Sequence, residues 1–196
     1  MSLPAEAPPD PRQLRRLMRA RRRALRSGQR KAAAARLALQ VARSPLFLRA
    51  RRVALYLAAD GEIDPAAIRR IAWRLGKQVY LPVLHPRQQK RLAFVQFGRG
   101  ECLLPNRFGI GEPAALAGRV RPWQLDLVLM PLVAYDASGG RLGMGGGYYD
   151  RTFAPLQGDC RWPRRPALVG LAYRFQQVAA LPQRPWDVPL RRVYAG

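Results

Sequence analysis

From Arg52 onward, short uninterrupted apolar runs alternate with amphipathic stretches. VALYLA (53–58), QVYLPV (78–83), LAFVQF (92–97), DLVLMP (126–131) and ALVGLAY (167–173) are apolar at nearly every position. That pattern predicts strands buried on both faces. A helical pattern fills 65–75, with Pro65 suited to its first turn. Further helices are expected to start near Tyr148 and, shorter, near Gln176. Ahead of Arg52, Leu14, Leu17, Met18 and Leu25 fall near helical spacing with arginines between them. Ser27-Gly28 interrupts, and a second helix runs through Ala33, Leu37 and Val41 and stops before Pro45. The alternation predicts an α/β fold, a single-domain three-layer sandwich with a mostly parallel central sheet flanked by helices, Rossmann-like. Residues 1–11 are proline-rich and read as a flexible N-terminus. Residues 12–196 read as one domain, without repeat or linker.

Composition narrows the class. The formal charge is +23, which suits a nucleic-acid partner. Yet Lys31, Lys77 and Lys90 are the only lysines, and alanine is abundant throughout. A coding bias towards arginine and alanine therefore outweighs a nucleic-acid surface. No apolar run is long enough to span a bilayer, and the N-terminus lacks an apolar signal core. The acid-free stretch 12–59 is similar to a transit peptide, but it has few serines and Glu6 and Asp10 precede it. Cys102 and Cys160 fit free thiols in a reducing compartment, so a cytoplasmic location is expected. With His85 the only histidine, no Cys/His zinc cluster can form. His85 itself reads as a loop residue.

The stretch RLGMGGGYYDR (141–151) holds four glycines. It follows the DLVLMP strand by a short turn, AYDASGG, and leads into a helix. Strand, glycine-rich loop and helix N-terminus together present backbone N–H groups to an anion. Gly143, Gly145, Gly146 and Gly147 allow phosphate oxygens close to the main chain, and Arg141 adds a charge-assisted contact. GxxxxGK[ST] is absent, and GxGxxG fails at Tyr148. On the residues alone, a phosphate cradle and a structural turn stay open, with the turn slightly favoured. Asp150 reads either as a helix-dipole aspartate or as a magnesium ligand beside a nucleotide. Tyr148 and Tyr149 read either as core residues or as a platform for a flat ligand.

The block LVLMPLVAYDASGGRLGMGGGYYDR resembles the signature of the 5-formyltetrahydrofolate cyclo-ligase (5,10-methenyltetrahydrofolate synthetase) family. ARRVALYLAADGEIDPAAI, GKQVYLPVL, FGIGEP and LPQRPWDVPLRRV resemble further family segments in the same order. The resemblance covers about Arg12 to Val193. It implies an enzyme that turns 5-formyltetrahydrofolate and ATP into 5,10-methenyltetrahydrofolate, ADP and phosphate, with magnesium.

The resemblance also implies roles for residues. Arg141, Leu142, Gly143, Met144, Gly145, Gly146, Gly147, Tyr148 and Tyr149 would hold ATP. Met144 to Tyr148 would also touch the folate. Arg15 would contact both substrates, and Arg15, Tyr148 and Asp150 would carry the catalysis. Leu57 and Glu62 would contact the folate, with the Glu62 carboxylate accepting from pterin N–H groups. Phe108 is placed to stack on the pterin. Asp150 and Asp187 would ligate magnesium.

The chain also departs from the family pattern. The basic residue usual four positions before the helix arginine is Pro11 here, with Arg12 as its substitute. Met144 and Gly146 replace basic residues of some members, which leaves Arg151 or Arg174 to meet the phosphate charge. The remaining N-terminal arginines read as a solvated helix face. The resemblance implies a monomer with a small-molecule partner, and the basic surface suits a polyglutamate tail. A basic nucleic-acid-binding domain without ATP turnover is the alternative.

Overall fold

The computed structural model describes residues 10–114, 118–156 and 165–196. Cys160 and residues 1–9 lie outside the described residues, and Cys102 is an exposed free thiol. The chain runs α1 (Pro11–Ala24), α2 (Ser27–Ala42), α3 (Pro45–Arg49), β1 (Arg52–Ala54), α4 (Ala66–Arg74), β2 (Gln78–Leu84) and β3 (Leu92–Gln96). It continues with β4 (Leu103–Pro105), β5 (Gly111–Pro113), β6 (Arg119–Val120), β7 (Leu127–Pro131), β8 (Ala134–Tyr135) and β9 (Arg141–Leu142). The last elements are α5 (Tyr148–Phe153), β10 (Ala167–Ala172) and β11 (Arg192–Ala195).

The central sheet has seven strands in the order β11-β10-β7-β1-β2-β3-β6. β11, β10, β7, β1 and β2 pair in parallel. β3 and β6 close one edge antiparallel. Strand periodicity sorts the apolar runs onto two faces. Val53, Val79, Leu129 and Val169 share one cluster with Leu37 and Val41 of α2, Phe47 of α3 and Ile68 of α4. Ala54, Tyr80, Phe94, Val128 and Leu168 share the other with Phe153 of α5 and with Val188 and Leu190. This is the expected three-layer α/β arrangement. Both faces are covered, which is why the strands read as unbroken apolar runs. Each fully buried leucine such as Leu37 contributes about 1.5–3 kcal/mol.

α1 stands apart from the three layers. Asp10 caps it by accepting from the N–H groups of Arg12 and Gln13. Pro11, counted with the flexible terminus in sequence, is its first residue. Leu14 and Met18 pack on Val133, Ala134, Leu142 and Leu181. Leu17, expected on the same apolar face, is exposed.

Other expectations need correction. Of VALYLA only Val53 and Ala54 pair, within the strand Arg52–Ala54, although the Leu55 N–H still donates to the Tyr80 carbonyl. AYDASGG is not a simple turn but the core of a β8–β9 hairpin. The short helix near Gln176 is a single 3-10 turn, Arg174–Gln176. β11 adds a parallel edge strand where the sequence pattern had shown only a C-terminal segment.

Candidate active site

The site forms at the carboxyl ends of β1, β2 and β7, where an open α/β sheet exposes a crevice. The β1–α4 connection supplies Asp60 and Glu62. Asp60 and Gly61 turn it sharply, with φ of 50° and 72°. A Cβ on Gly61 would come 3.2 Å from the Arg22 backbone, so α1 lies directly against this turn.

Three α1 arginines converge on Asp60. Arg19 Nε donates to Oδ2 at 2.6 Å, and Arg22 Nη2 to the same oxygen at 3.0 Å. Arg23 Nε donates to Oδ1 at 2.5 Å. Burial opposes ionisation of Asp60, but the hydrogen bonds from Arg19 and Arg23 outweigh it and hold the carboxyl below its ordinary range. Arg22 is 1% exposed and also donates to the Leu132 carbonyl at 3.3 Å. Arg22 therefore departs from the solvated helix face expected from sequence, whereas Arg16, Arg21 and Arg23 are exposed as that reading has them. Arg19, Arg22 and Arg23 bolt α1 to the β1–α4 turn, and Arg22 ties it to the end of β7.

Glu62 lies beside this cluster, 3.9 Å from Arg22 Nη1. Burial raises its pKa to about 7, against the opposing effects of the Ala59 N–H and the Arg22 charge. Its neighbour in the cleft is Tyr149, whose hydroxyl pKa is raised by burial and then by the Glu62 charge.

The β8–β9 hairpin delivers the glycine loop. Asp136 organises it, accepting from the Ser138 hydroxyl at 2.7 Å, the Gly140 N–H at 2.9 Å and the Leu181 N–H at 3.0 Å. Burial works against the Asp136 charge, but these bonds outweigh it and lower the pKa. A Cβ on Gly140 would sit 2.5 Å from Asp136 Oδ2, so that position admits only glycine. Beyond the hairpin, Gly145 and Gly147 adopt φ of 95° and 64°. Arg15 Nε holds the loop by donating to the Gly143 carbonyl at 2.8 Å, and Arg151 Nη1 donates to the Gly146 carbonyl at 2.6 Å. The following helix, α5, has only six residues. Its dipole is small, so attraction for an anion here falls to the arginines.

The loop separates two clefts. One, of about 520 Å³, is lined by Arg15, Arg141, Arg151, Arg184, Asp150 and Asp187 together with Leu142 and Gly145. The other, of about 630 Å³, is mostly apolar, with Leu57, Glu62, Phe108, Met144, Tyr148 and Tyr149 in its wall. Gly143, Gly147, Arg141 and Asp150 line both. Gly146 faces the apolar cleft. Phe108 meets Tyr148 edge-on at 6.1 Å, and Arg107 Nη2 donates to the Tyr148 hydroxyl at 2.5 Å.

The structure thus divides the residues that the sequence grouped together. Met144, Gly146, Tyr148 and Tyr149 face the apolar cleft alone. Arg12 is exposed on α1 and lines neither cleft. Arg174 lies in the turn after β10, also outside both linings, so of the two arginines offered for the phosphate charge only Arg151 is at the cleft. Pattern reading missed Arg184, which faces Arg15. Partial burial, then the Arg184 charge, lowers the Arg15 pKa. The signal was present in the RPWD run, three residues before a candidate aspartate.

Residues 8–196 match the model of the 5-formyltetrahydrofolate cyclo-ligase family. The chain belongs to that family. The 5-formyltetrahydrofolate cyclo-ligase of Haemophilus influenzae is 45% identical over 148 residues, covering 75% of this chain and 76% of that one. The Escherichia coli K12 cyclo-ligase is 41% identical over 178 residues, covering 90% and 95%. The solved 5,10-methenyltetrahydrofolate synthetase of Aquifex aeolicus superposes with a TM-score of 0.78 at 29% identity, covering 94% of this chain and 89% of that one. The fold shared with this cyclo-ligase relative therefore extends over almost the whole chain. No helix of the described residues is long and apolar enough to cross a membrane.

Proposed function

We propose that this chain converts 5-formyltetrahydrofolate and ATP to 5,10-methenyltetrahydrofolate, ADP and phosphate. The observation that carries the reading is the pair of clefts meeting at one glycine loop. An arginine-rich cleft suits a polyphosphate, and a larger apolar cleft with a buried carboxyl suits a flat pterin. Where they share Gly143 and Gly147, a γ-phosphate and a formyl oxygen can meet.

The chemistry needs such a meeting point. A formamide oxygen is a poor leaving group. It attacks the γ-phosphorus, ADP departs, and an N5-iminium phosphate forms. N10 then adds to the activated carbon with loss of its proton. Phosphate leaves, and the methenyl bridge closes. The protein supplies position and charge neutralisation.

Arg15, Arg141, Arg151 and Arg184 neutralise phosphate oxygens. The Gly145 and Gly147 backbones admit those oxygens closely. Glu62 accepts from pterin N–H groups, Leu57 and Phe108 cover the ring, and Tyr148 closes the junction. Among the described residues no group of three or more His, Cys, Asp or Glu is placed to hold a metal. Asp150 and Asp187 in one cleft nevertheless fit magnesium, which takes one or two carboxylates and completes its shell with phosphate and water. Magnesium would supply further neutralisation of the phosphate charge there.

The test is direct. Purified protein is mixed with 5-formyltetrahydrofolate, ATP and magnesium, and methenyltetrahydrofolate is followed by absorbance. A folded sample that makes no product refutes the proposal.

A further inference from the structure

We infer that Trp186 is the nucleobase platform of the arginine-lined cleft, with a purine ring stacked on its indole. The inference rests on the ATP reading above and names the residue that grips the base.

Trp186 is 60% exposed, although a tryptophan is among the costliest side chains to leave in water. It is not scattered on an open surface but lines the polar cleft. Pro11, Ala154, Leu181 and Pro182 line the same cleft among the arginines. Phosphates have no use for that apolar portion. A volume of about 520 Å³ suits a whole small organic ligand rather than a phosphate chain alone. The Arg184 guanidinium lies 5.7 Å from the indole centroid, within cation–π range of the ring.

Trp186 is also held in place. The Arg184 N–H donates to Asp187 Oδ2 at 2.9 Å, and the Asp187 N–H donates to the Arg184 carbonyl at 2.9 Å. One closed turn therefore presents a phosphate-facing arginine, an aromatic face and a carboxylate in four consecutive residues. Leu181, which leads into this turn, is anchored to Asp136 of the loop hairpin. The two walls of the cleft are thus tied together. Stacking reads the face of a base and not its edge, so Trp186 contributes affinity for any purine nucleotide.

The experiment compares ADP with magnesium pyrophosphate by calorimetry on wild type, Trp186→Ala and Trp186→Phe. Base–aromatic stacking predicts that Trp186→Ala weakens ADP about tenfold or more and leaves pyrophosphate unchanged. Trp186→Phe should recover part of the ADP affinity. ADP affinity equal to wild type in Trp186→Ala overturns the inference. Equal weakening of ADP and pyrophosphate also overturns it, because that outcome marks a general distortion of the cleft. Wild-type protein that binds neither probe refutes the ATP reading itself. Melting temperature and 5-formyltetrahydrofolate affinity confirm that each variant is folded.

Discussion

Arg141 donates to Asp150 at 2.5 Å across the base of the glycine loop, joining β9 to α5. Asp150 Oδ1 also accepts from the Val188 N–H at 3.2 Å, and the Arg141 side chain is only 6% exposed. One carboxylate thus links the hairpin, the short helix and the segment that carries Asp187. If it also holds magnesium, Asp150→Asn removes charge where metal and arginine both need it. Turnover should fall sharply, with magnesium affinity reduced by at least the roughly tenfold cost of losing an outer-shell partner. A magnesium titration of initial rates checks this. An unchanged magnesium requirement rules out the assignment.

Gly145 tests the cradle. At its φ of 95° a side chain is strained, and the nearest group to a Cβ would be the Arg15 guanidinium at 3.7 Å. Gly145→Val should cost about 1–2 kcal/mol of stability. It should raise the KM for ATP tenfold or more by displacing Arg15 and narrowing the phosphate approach. Normal ATP affinity in a folded variant would remove the loop from the phosphate site.

Glu62 should make both stability and folate binding depend on pH. Its folded pKa of about 7 lies above the ordinary carboxyl value, so the native state favours the protonated form. Stability from this group is complete below about pH 4.5 and is lost as pH rises towards 7. Glu62→Gln should therefore gain on wild type across that window, by about 1–3 kcal/mol at pH 8. Urea unfolding at pH 5 and pH 8 measures the difference. Folate affinity should move the other way. The carboxylate is the better acceptor for pterin N–H groups, so the wild-type KM for the folate should rise as pH falls through 7. A pH-independent KM in wild type contradicts that role.

Asp60 is the anchor of α1. Removing its charge with Asp60→Asn leaves Arg22 buried without its closest counter-charge. Breaking a buried pair costs about 3–5 kcal/mol, and the lower end applies because Asp60 is partly exposed. Because its folded pKa is depressed, Asp60 stabilises the protein at neutral pH, and that contribution fades as pH falls below about 4. Denaturant unfolding of the variant provides the measurement. A loss within about 0.5 kcal/mol would show that the cluster is merely a surface network.

Much of the architecture was legible because burial on both faces writes unbroken apolar runs into β2, β3, β7 and β10. Shorter elements carried no such mark. β8 and β9 have two residues each, and their turn chemistry hid the hairpin. β11 begins with exposed Arg192 at the sheet edge and so shows no apolar run. The antiparallel direction of β3 depends on the short connection through His85, not on its own residues. For the site, glycine-rich spacing exposed the loop, and family resemblance singled out Arg15, Glu62 and the two aspartates. Neither revealed that Arg22 is buried, or that Arg184 and Trp186 face Arg15's cleft.

By itself, the sequence determined which of the longer segments become elements, where the chain needs glycine, and which family it resembles. These are local properties, since periodicity and backbone freedom act within a few residues. Only the tertiary structure decided that the glycine loop parts two clefts, that Asp60 gathers three arginines, and that the RPWD turn faces α1. Those contacts join residues from about 40 to more than 100 positions apart. Their partners are chosen by how helices pack on the sheet, which no local pattern records.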